Sequence, residues 1–383
     1  MTLKENSNLP VIAICYDFDK TLSPDDMQAQ GYIQSIGYDV NDFWNKSNGR
    51  ATENDMDQNL AYMLTMKEEA EGKILFTKEE LANYGSKVKL FPGVKEWFGR
   101  INEYGLQRNV KIEHYIISSG LKEMIEGTSI AREFEKIYAT SFYCNDKGVA
   151  VWPAQVVNYT NKTQFLFRIS KGVLDVNDQA VNDYFSPENI KVPFRNMVYI
   201  GDSDTDIPCM KLINSKAGYS IGVYNPDKKD KTKVYKMMRD NRISYYASAD
   251  YSVGSELDKI VKLIIDKTVY NEQLQRIHYN LESEMKSEIT GNGQEDFSLE
   301  KKDLIGELEE SNNFLTTHSI IRKLLKFDNW SEEDIDSLLR IAIKNSQVKM
   351  ILRDKDLTDF YTKILEKFDL DNPNAKKVKK IIE

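Results

Sequence analysis

Apolar residues along the chain fall into two alternating patterns. Short runs rich in β-branched and aromatic residues read as strands buried on both faces: VIAICY at 11–16, IEHYII at 112–117, IYAT at 137–140, MVYI at 197–200 and YSIGV at 219–223. A last short strand is expected near 248–252. Between these runs the apolar positions recur at helical spacing, notably over 161–174 and 205–214. Strands alternating with helices imply a mainly parallel sheet with right-handed crossovers.

The stretch from about 23 to 108 departs from that alternation. It is polar and helical, with a capping-box start at Thr77-Lys78-Glu79-Glu80. A break at Leu90-Phe91-Pro92-Gly93-Val94 precedes a helix over 94–104. A long helix is expected from Ser255 into the 280s, followed by a polar, glycine-containing linker at 288–298. The remainder, 299–383, is helical in pattern, with an N-cap at Ser331-Glu332-Glu333-Asp334 and apolar Leu338, Leu339, Ile341 and Ile343 behind it. The terminal KKVKKIIE reads as a solvated helix end.

Composition narrows the function classes. At 383 residues, 41% hydrophobic and 29% charged, the chain has room for a large α/β domain and one or two smaller units. A net charge of −8 argues against a nucleic-acid partner, since no global positive field draws in a phosphate backbone. No apolar run of roughly eighteen residues occurs, so no membrane span is expected. MTLKENSNLP lacks the apolar core of a signal peptide, and Cys15, Cys144 and Cys209 lie far apart without a CxxC pair. Both features fit a reducing cytoplasm. With His114, His278 and His318 the only histidines, acid–base chemistry falls mainly to carboxylates.

Polar clusters follow three of the expected parallel strands. They are Asp17-x-Asp19-x-Thr21, Ser118-Ser119-Gly120 and Gly201-Asp202-Ser203-Asp204-Thr205-Asp206; Lys162 opens the helix at 161–174. Open α/β sheets place ligands there, where loops diverge and helix N-termini point inward. A carboxylate such as Asp17 can attack phosphorus and form an aspartyl phosphate. Attack of one anion on another needs neutralisation, which a magnesium ion held by carboxylates supplies. Asp17 and Asp202, with the Asp19 carbonyl, form a natural oxygen ligand set. The Asp19 side chain is then free to protonate the leaving oxygen and later to activate water. The Ser118 hydroxyl, the amides around Ser119-Gly120 and the Lys162 ammonium suit phosphoryl oxygens. Blander roles stand beside these. Aspartates are common in turns and N-caps, Ser118 can cap a helix, and Lys171 rivals Lys162. Asp204 reads as a loop residue, Asp206 also as the N-cap of IPCMKL, and Cys15 and Cys209 as small buried apolar groups.

DFDKTL, IISSG, a downstream lysine and GDSDTD, in that order, resemble motifs I to IV of the haloacid dehalogenase (HAD) superfamily. The subgroup resembled is the phosphoserine-phosphatase-like one, and the resemblance covers roughly 10–265. It implies a Rossmann-like core at 10–22 and 109–265 with an inserted helical cap at 23–108. It leaves a long helix and linker at 266–298 and a C-terminal helical region at 299–383 outside the shared part. It further implies Asp17 as nucleophile, Asp19 as general acid and base, and Ser118 and Lys162 on the phosphoryl group. Magnesium is implied as cofactor, with Asp202 as ligand and Asp206 orienting the metal shell. The second aspartate of motif I favours phosphoester hydrolysis.

The expected function is therefore magnesium-dependent hydrolysis of a phosphomonoester on a small metabolite or nucleotide. The alternative is a regulatory protein whose region 299–383 does the main work through a protein partner or self-association. Asp25, Asp26, Trp44 and Arg50 of the expected cap have no assignable substrate contact. The basic stretch from Asp227 to Lys233, with Lys236 and Arg239, reads as a solvated loop or as a surface that attracts a large anionic substrate.

Overall fold

The apolar runs pair into one seven-stranded sheet: β1 (Val11–Tyr16), β2 (Lys111–Leu121), β3 (Lys136–Cys144), β4 (Ala150–Gln155), β5 (Met197–Gly201), β6 (Tyr219–Tyr224) and β7 (Tyr245–Ser248). This is a computed structural model; it describes residues 9–185, 189–290, 296–311, 313–366 and 372–382. The strand order is β4-β3-β2-β1-β5-β6-β7, and only β3 and β4 run antiparallel. β1 lies between β2 and β5, so successive connections leave it to opposite sides and their loops part at its carboxyl end. Ile12, Ile14 and Tyr16 enter the core on one face of β1, and Ala13 and Cys15 enter the core on the other. Burial on both faces explains why the run is continuously apolar.

Two strands differ from expectation. β4 carries no apolar run because it is an edge strand; Pro153 is tolerated there and Trp152 is exposed. The last strand lies at 245–248 rather than 248–252. Ala249 and Tyr251 are apolar because a loop buries them, with the Tyr251 amide donating to the Pro92 carbonyl.

The helical insertion holds α1 (Tyr32–Ser35), α2 (Val40–Glu53), α3 (Gln58–Ala70) and α4 (Lys78–Ser86). Asp39, Asp57 and Thr77 cap the last three by accepting amides of the first turn. The next helix, α5 (Val94–Leu106), was expected inside the cap, but it packs on the sheet through Trp97, Phe98 and Ile101. Its Trp97 Nε1–H donates to the Tyr16 hydroxyl at 2.8 Å, and Tyr16 lies 3.0 Å from His114 Nδ1. That leaves His114 Nε2–H to donate to Asn102 at 2.9 Å, which closes a fully paired buried chain. Burial holds His114 down to about 3, so it stays neutral. The insertion therefore ends near residue 90.

Helix α4 clamps the insertion to α6 (Lys122–Gly127) at very close range. A Cβ on Gly85 would stand 1.9 Å from the Met124 carbonyl oxygen. Helices α7 (Lys162–Lys171) and α8 (Ile207–Ser215) cover one face of the sheet, with α9 (Thr232–Arg239) beside them. α5 and α10 (Glu256–Thr290) share the core of the other face.

The chain divides into two units, Met1–Leu274 and Gln275–Glu383. The second has its own core, drawn from α11 (Asp296–Glu310), α12 (Phe314–Leu324), α13 (Glu332–Lys344), α14 (Ser346–Met350), α15 (Lys355–Glu366) and α16 (Pro373–Ile382). Leu308, Ile321, Leu338, Leu339, Tyr361 and Ile364 fill it. The expected N-cap holds: the Ser331 hydroxyl accepts the Asp334 amide and the Asp334 carboxylate accepts the Ser331 amide. The expected linker at 288–298 falls partly on residues 291–295, outside the described residues; α10 runs to Thr290 and α11 starts at Asp296. Among the described residues no helix is long and apolar enough to cross a membrane.

The glycine contact yields opposite outcomes for one kind of substitution. Alanine for glycine inside a helix gains about 1 kcal/mol of propensity. At Gly99, where no atom lies within 4 Å of a new Cβ, Gly99→Ala should raise the urea midpoint. At Gly85 the added methyl must push α4 off α6, and overpacking costs about 1–3 kcal/mol. Gly85→Ala should therefore lower the midpoint despite its better helix propensity.

Candidate active site

The chain leaves β1 through a tight reversal. The amides of Thr21, Leu22 and Ser23 all donate to the Phe18 carbonyl, and Lys20 takes a left-handed φ of 59°. The Asp17 amide still donates to Ile200 of β5 at 3.0 Å, so Asp17 is fixed between the two central strands. Asp19 turns away: its Oδ1 accepts the Met27 amide at 2.8 Å. Sequence neighbours of the same type thus face different surroundings.

Lys162, the first residue of α7, is fully buried. Its ammonium lies 2.7 Å from Asp206 Oδ1 and 3.4 Å from Asp17 Oδ1. Lys171 instead donates to the carbonyls of Val181 and Asp183, so Lys162 is the lysine of this site. Asp206 is more than a helix cap; its side chain makes no cap hydrogen bond to α8. Its Oδ1 also accepts the Tyr199 hydroxyl at 2.9 Å, and its Oδ2 accepts the Ser203 amide and hydroxyl at 3.1 and 3.0 Å. Asp202 is half-buried, with Lys233 Nζ 3.6 Å from its Oδ2.

Ser118, Ser119 and Gly120 lie within the last residues of β2, where its pairing with β3 shifts between Ser118 and Leu121. The Ser118 hydroxyl accepts the Gly120 amide at 3.0 Å. Ser119 gives its carbonyl to the Tyr62 hydroxyl of α3 at 2.9 Å, which ties the insertion to the carboxyl edge of the sheet. A Cβ on Gly120 would stand 2.7 Å from Asp19 Oδ2, so only glycine lets that carboxylate lie against the strand.

The acidic set of Asp17, Lys162, Asp202 and Asp206 adjoins Asp19, Ser118 and Gly120: a Ser118 hydrogen bond lowers the proton affinity of Asp17, and the Asp17 charge raises that of Asp19. Asp204 is exposed, and Cys15 and Cys209 are buried among apolar side chains, as expected. Arg50 pairs with Glu68, and Asp26 with Lys20, inside the first unit. Sequence reasoning missed Tyr199, Tyr62 and Lys233. The first sits inside an apolar strand run, where only a buried hydroxyl's need for a partner gives it away.

The electrostatics follow from burial and crowding. Burial, then Asp206, pushes Asp17 up to about 6, while Lys162 pulls it back. Burial and Asp206 push Asp202 up to about 7. Asp19 is raised well above the usual carboxylate range by burial, then by Asp26 and Asp17. Burial works against the Lys162 charge, yet Asp17 and Asp206 hold its ammonium above the ordinary lysine value.

These residues fit a divalent cation. Asp17, Asp202 and Asp206 each offer an oxygen within 4.8 Å of the others. Asp17 Oδ1 is buried without a hydrogen-bond partner, and among the described residues Lys162 is the one fully buried cation beside these three carboxylates. Hard oxygen donors with surplus negative charge suit magnesium. Both Asp206 oxygens are engaged, so Asp17 and Asp202 have the free lone pairs. Asp19 was expected to reach the metal through its backbone carbonyl, and its carboxylate lies outside the acidic group, where its Oδ1 accepts the Met27 amide.

The fold is a mainly parallel seven-stranded α/β sheet with a helical insertion after its central strand. The central strand, the insertion after it and the site at the carboxyl edge of the sheet lie where the resemblance to the haloacid dehalogenase superfamily implies. No protein-family model matches the chain. An uncharacterized protein of Borreliella burgdorferi is 28% identical over 283 residues, covering 66% of this chain and 95% of that protein. Similar solved structures include a HAD-family hydrolase of Salmonella enterica serovar Typhi, 17% identical, with a TM-score of 0.45 over 67% of this chain and 72% of that one. A substrate-bound phosphoserine phosphatase is 15% identical, with a TM-score of 0.41 over 67% of this chain and 99% of its own. Likeness of this order says nothing of chemistry, which the pocket's own residues must carry.

Lys162→Met tests the electrostatic core. Removing one partner of a buried ion pair costs about 3–5 kcal/mol. Asp17, which Lys162 now pulls back, would then be pushed up further, so the folded protein would favour its protonated form. Stability from such a raised carboxyl is present at low pH and lost as pH rises through the folded value. The loss, read from denaturation midpoints without added metal, should therefore be larger at pH 8 than at pH 5. Adding Asp206→Asn should restore part of it at pH 8.

Proposed function

We propose that this chain is a magnesium-dependent phosphomonoester hydrolase acting through an aspartyl phosphate on Asp17. The observation that carries this reading is the buried Oδ1 of Asp17, which has no hydrogen bond and lies 3.4 Å from Lys162 Nζ within reach of Asp202, while a second, proton-holding carboxyl, Asp19, is held by the Met27 amide. Magnesium, when bound by Asp17 and Asp202, supplies the positive charge that lets a carboxylate meet a phosphate.

Asp17 attacks phosphorus and forms an acyl phosphate as the bond to the ester oxygen breaks. Asp19, kept protonated by its surroundings, gives its proton to the departing oxygen. The ionised Asp19 then takes a proton from water, which attacks phosphorus and releases inorganic phosphate from Asp17. Lys162, the Ser118 hydroxyl and backbone amides near Gly120 hold the phosphoryl oxygens. Asp206 positions Lys162, and Tyr199 and Ser203 position Asp206. The substrate class is a small phosphorylated metabolite or nucleotide, because α3 of the insertion meets the carboxyl edge and bounds the space for the leaving group.

The two aspartates separate cleanly in experiment. Asp17→Asn removes the nucleophilic anion, so no phosphoenzyme should form with any substrate. Asp19→Asn removes a general acid and base, worth about 10² to 10⁴ in rate. With an activated aryl phosphate, whose leaving group needs no proton, this variant should accumulate phosphoenzyme. Intact-protein mass spectrometry after mixing with substrate and magnesium reads both. Phosphate on Asp17→Asn, or wild-type turnover by either variant, would overturn the mechanism.

A further inference from the structure

A cavity of about 530 Å³, of ordinary size for a small metabolite, lies between the helical insertion and the loop that follows β6. Lys87 and Lys89, just past α4, line it from the insertion. Lys228, in the basic stretch from Asp227 to Lys233, lines it from the loop. Both walls are tied to the active site. On the insertion side the Lys89 amide donates to Gln30 Oε1 at 2.9 Å, and Gln30 Nε2 donates to the Ser23 hydroxyl at 2.7 Å. Ser23 belongs to the same reversal as Asp19. On the loop side Asn225 Oδ1 accepts the Asp227 amide at 2.8 Å, and Lys233, farther along, brings its ammonium to 3.6 Å from Asp202. β6 runs parallel to β5, so its loop opens at the carboxyl edge where Asp17 and Asp202 stand.

The lining carries surplus positive charge. Lys87, Lys89 and Lys228 meet two carboxylates, Asp25 and Asp227, and among the described residues none of these five side chains forms an ion pair. We propose, resting on the reading of this chain as a phosphomonoesterase, that the cavity receives a second phosphate of the substrate. The substrate is then a small bisphosphorylated metabolite, with one phosphate at Asp17 and the other among the three lysines. A phosphate monoester has three free oxygens and nearly two negative charges, so ammoniums on both walls can each take an oxygen. A carboxylate offers two oxygens and one charge to the same three donors. Lys228 contributes from the far wall, which gives the basic stretch after β6 a use that a solvated loop lacks.

Steady-state hydrolysis of a matched pair, butyl phosphate and butanediol bisphosphate, tests this on the full chain with magnesium in excess. The wild type should show a KM about tenfold lower for the bisphosphate. Lys89→Met with Lys228→Met should bring the two KM values together with circular dichroism unchanged, since both side chains are exposed. In the wild type itself the preference should shrink severalfold in about 1 M salt, where screening reaches in to about 3 Å. A wild type that hydrolyses butyl or aryl phosphate, yet prefers the bisphosphate by no more than two equivalent esters give statistically, overturns the second-phosphate site and leaves the phosphatase reading standing. So does a preference that survives the double change or the salt. An equal gain from a terminal carboxylate, read with phosphobutyrate, overturns the choice of phosphate. A wild type that hydrolyses none of these compounds overturns the phosphatase reading, and the second-phosphate site with it.

Discussion

A lysine ammonium with no access to water is the constraint on which the site depends. Leaving such a charge unpaired costs several kcal/mol, so Lys162 requires Asp206 and Asp17 beside it. Asp206, equally buried, requires its own donors and takes them from Tyr199 in β5 and from Ser203. One ammonium thereby fixes the start of α7, the end of β1, the middle of β5 and the loop that follows it. The set is still short of positive charge, with three carboxylates around one buried lysine. That imbalance makes it receptive to a cation, and it leaves Asp17 and Asp202 with raised proton affinity.

Much of this could be read along the chain, and for a physical reason. Strands buried on both faces are written as apolar runs, and the turns that follow them are written in Asp, Ser and Gly. The site residues therefore appeared as three clusters after three strands. β4 escaped because an edge strand needs no apolar run and admits Pro153. α5 was assigned to the cap because periodicity tells that a helix has an apolar face but not what the face meets. Lys162 and Lys171 could not be separated for a related reason. Nine positions apart, about two and a half turns, they lie on opposite sides of one helix, and only the packing shows which side is buried. Lys233 was invisible among similar neighbours, and its approach to Asp202 exists only in three dimensions.

The insertion and the sheet are joined at points that matter for chemistry. Tyr62 of α3 holds the Ser119 carbonyl, and the Met27 amide, just before α1, holds Asp19. A shift of the insertion would therefore act on the orientation of the Asp19 carboxyl and on the strand end that carries Ser118. The α4–α6 clamp at Gly85 anchors the far side of the same insertion, so movement there is opposed by close backbone contact.

Asp17 and Asp19 show how one residue type, two positions apart, comes to lie in two different environments. In a continuing strand, positions i and i+2 face the same side and would share one environment. Here the strand ends at Tyr16, and Lys20 in the left-handed region completes a reversal within a few residues. Asp17 stays beside β5 and receives the Lys162 charge, which restrains its proton affinity. Asp19 is carried toward Met27 and Gly120, with Asp26 nearby and no buried cation in contact. The difference in environment that the proposed mechanism assigns to a nucleophile and an acid is thus set by the backbone turn, before any substrate arrives.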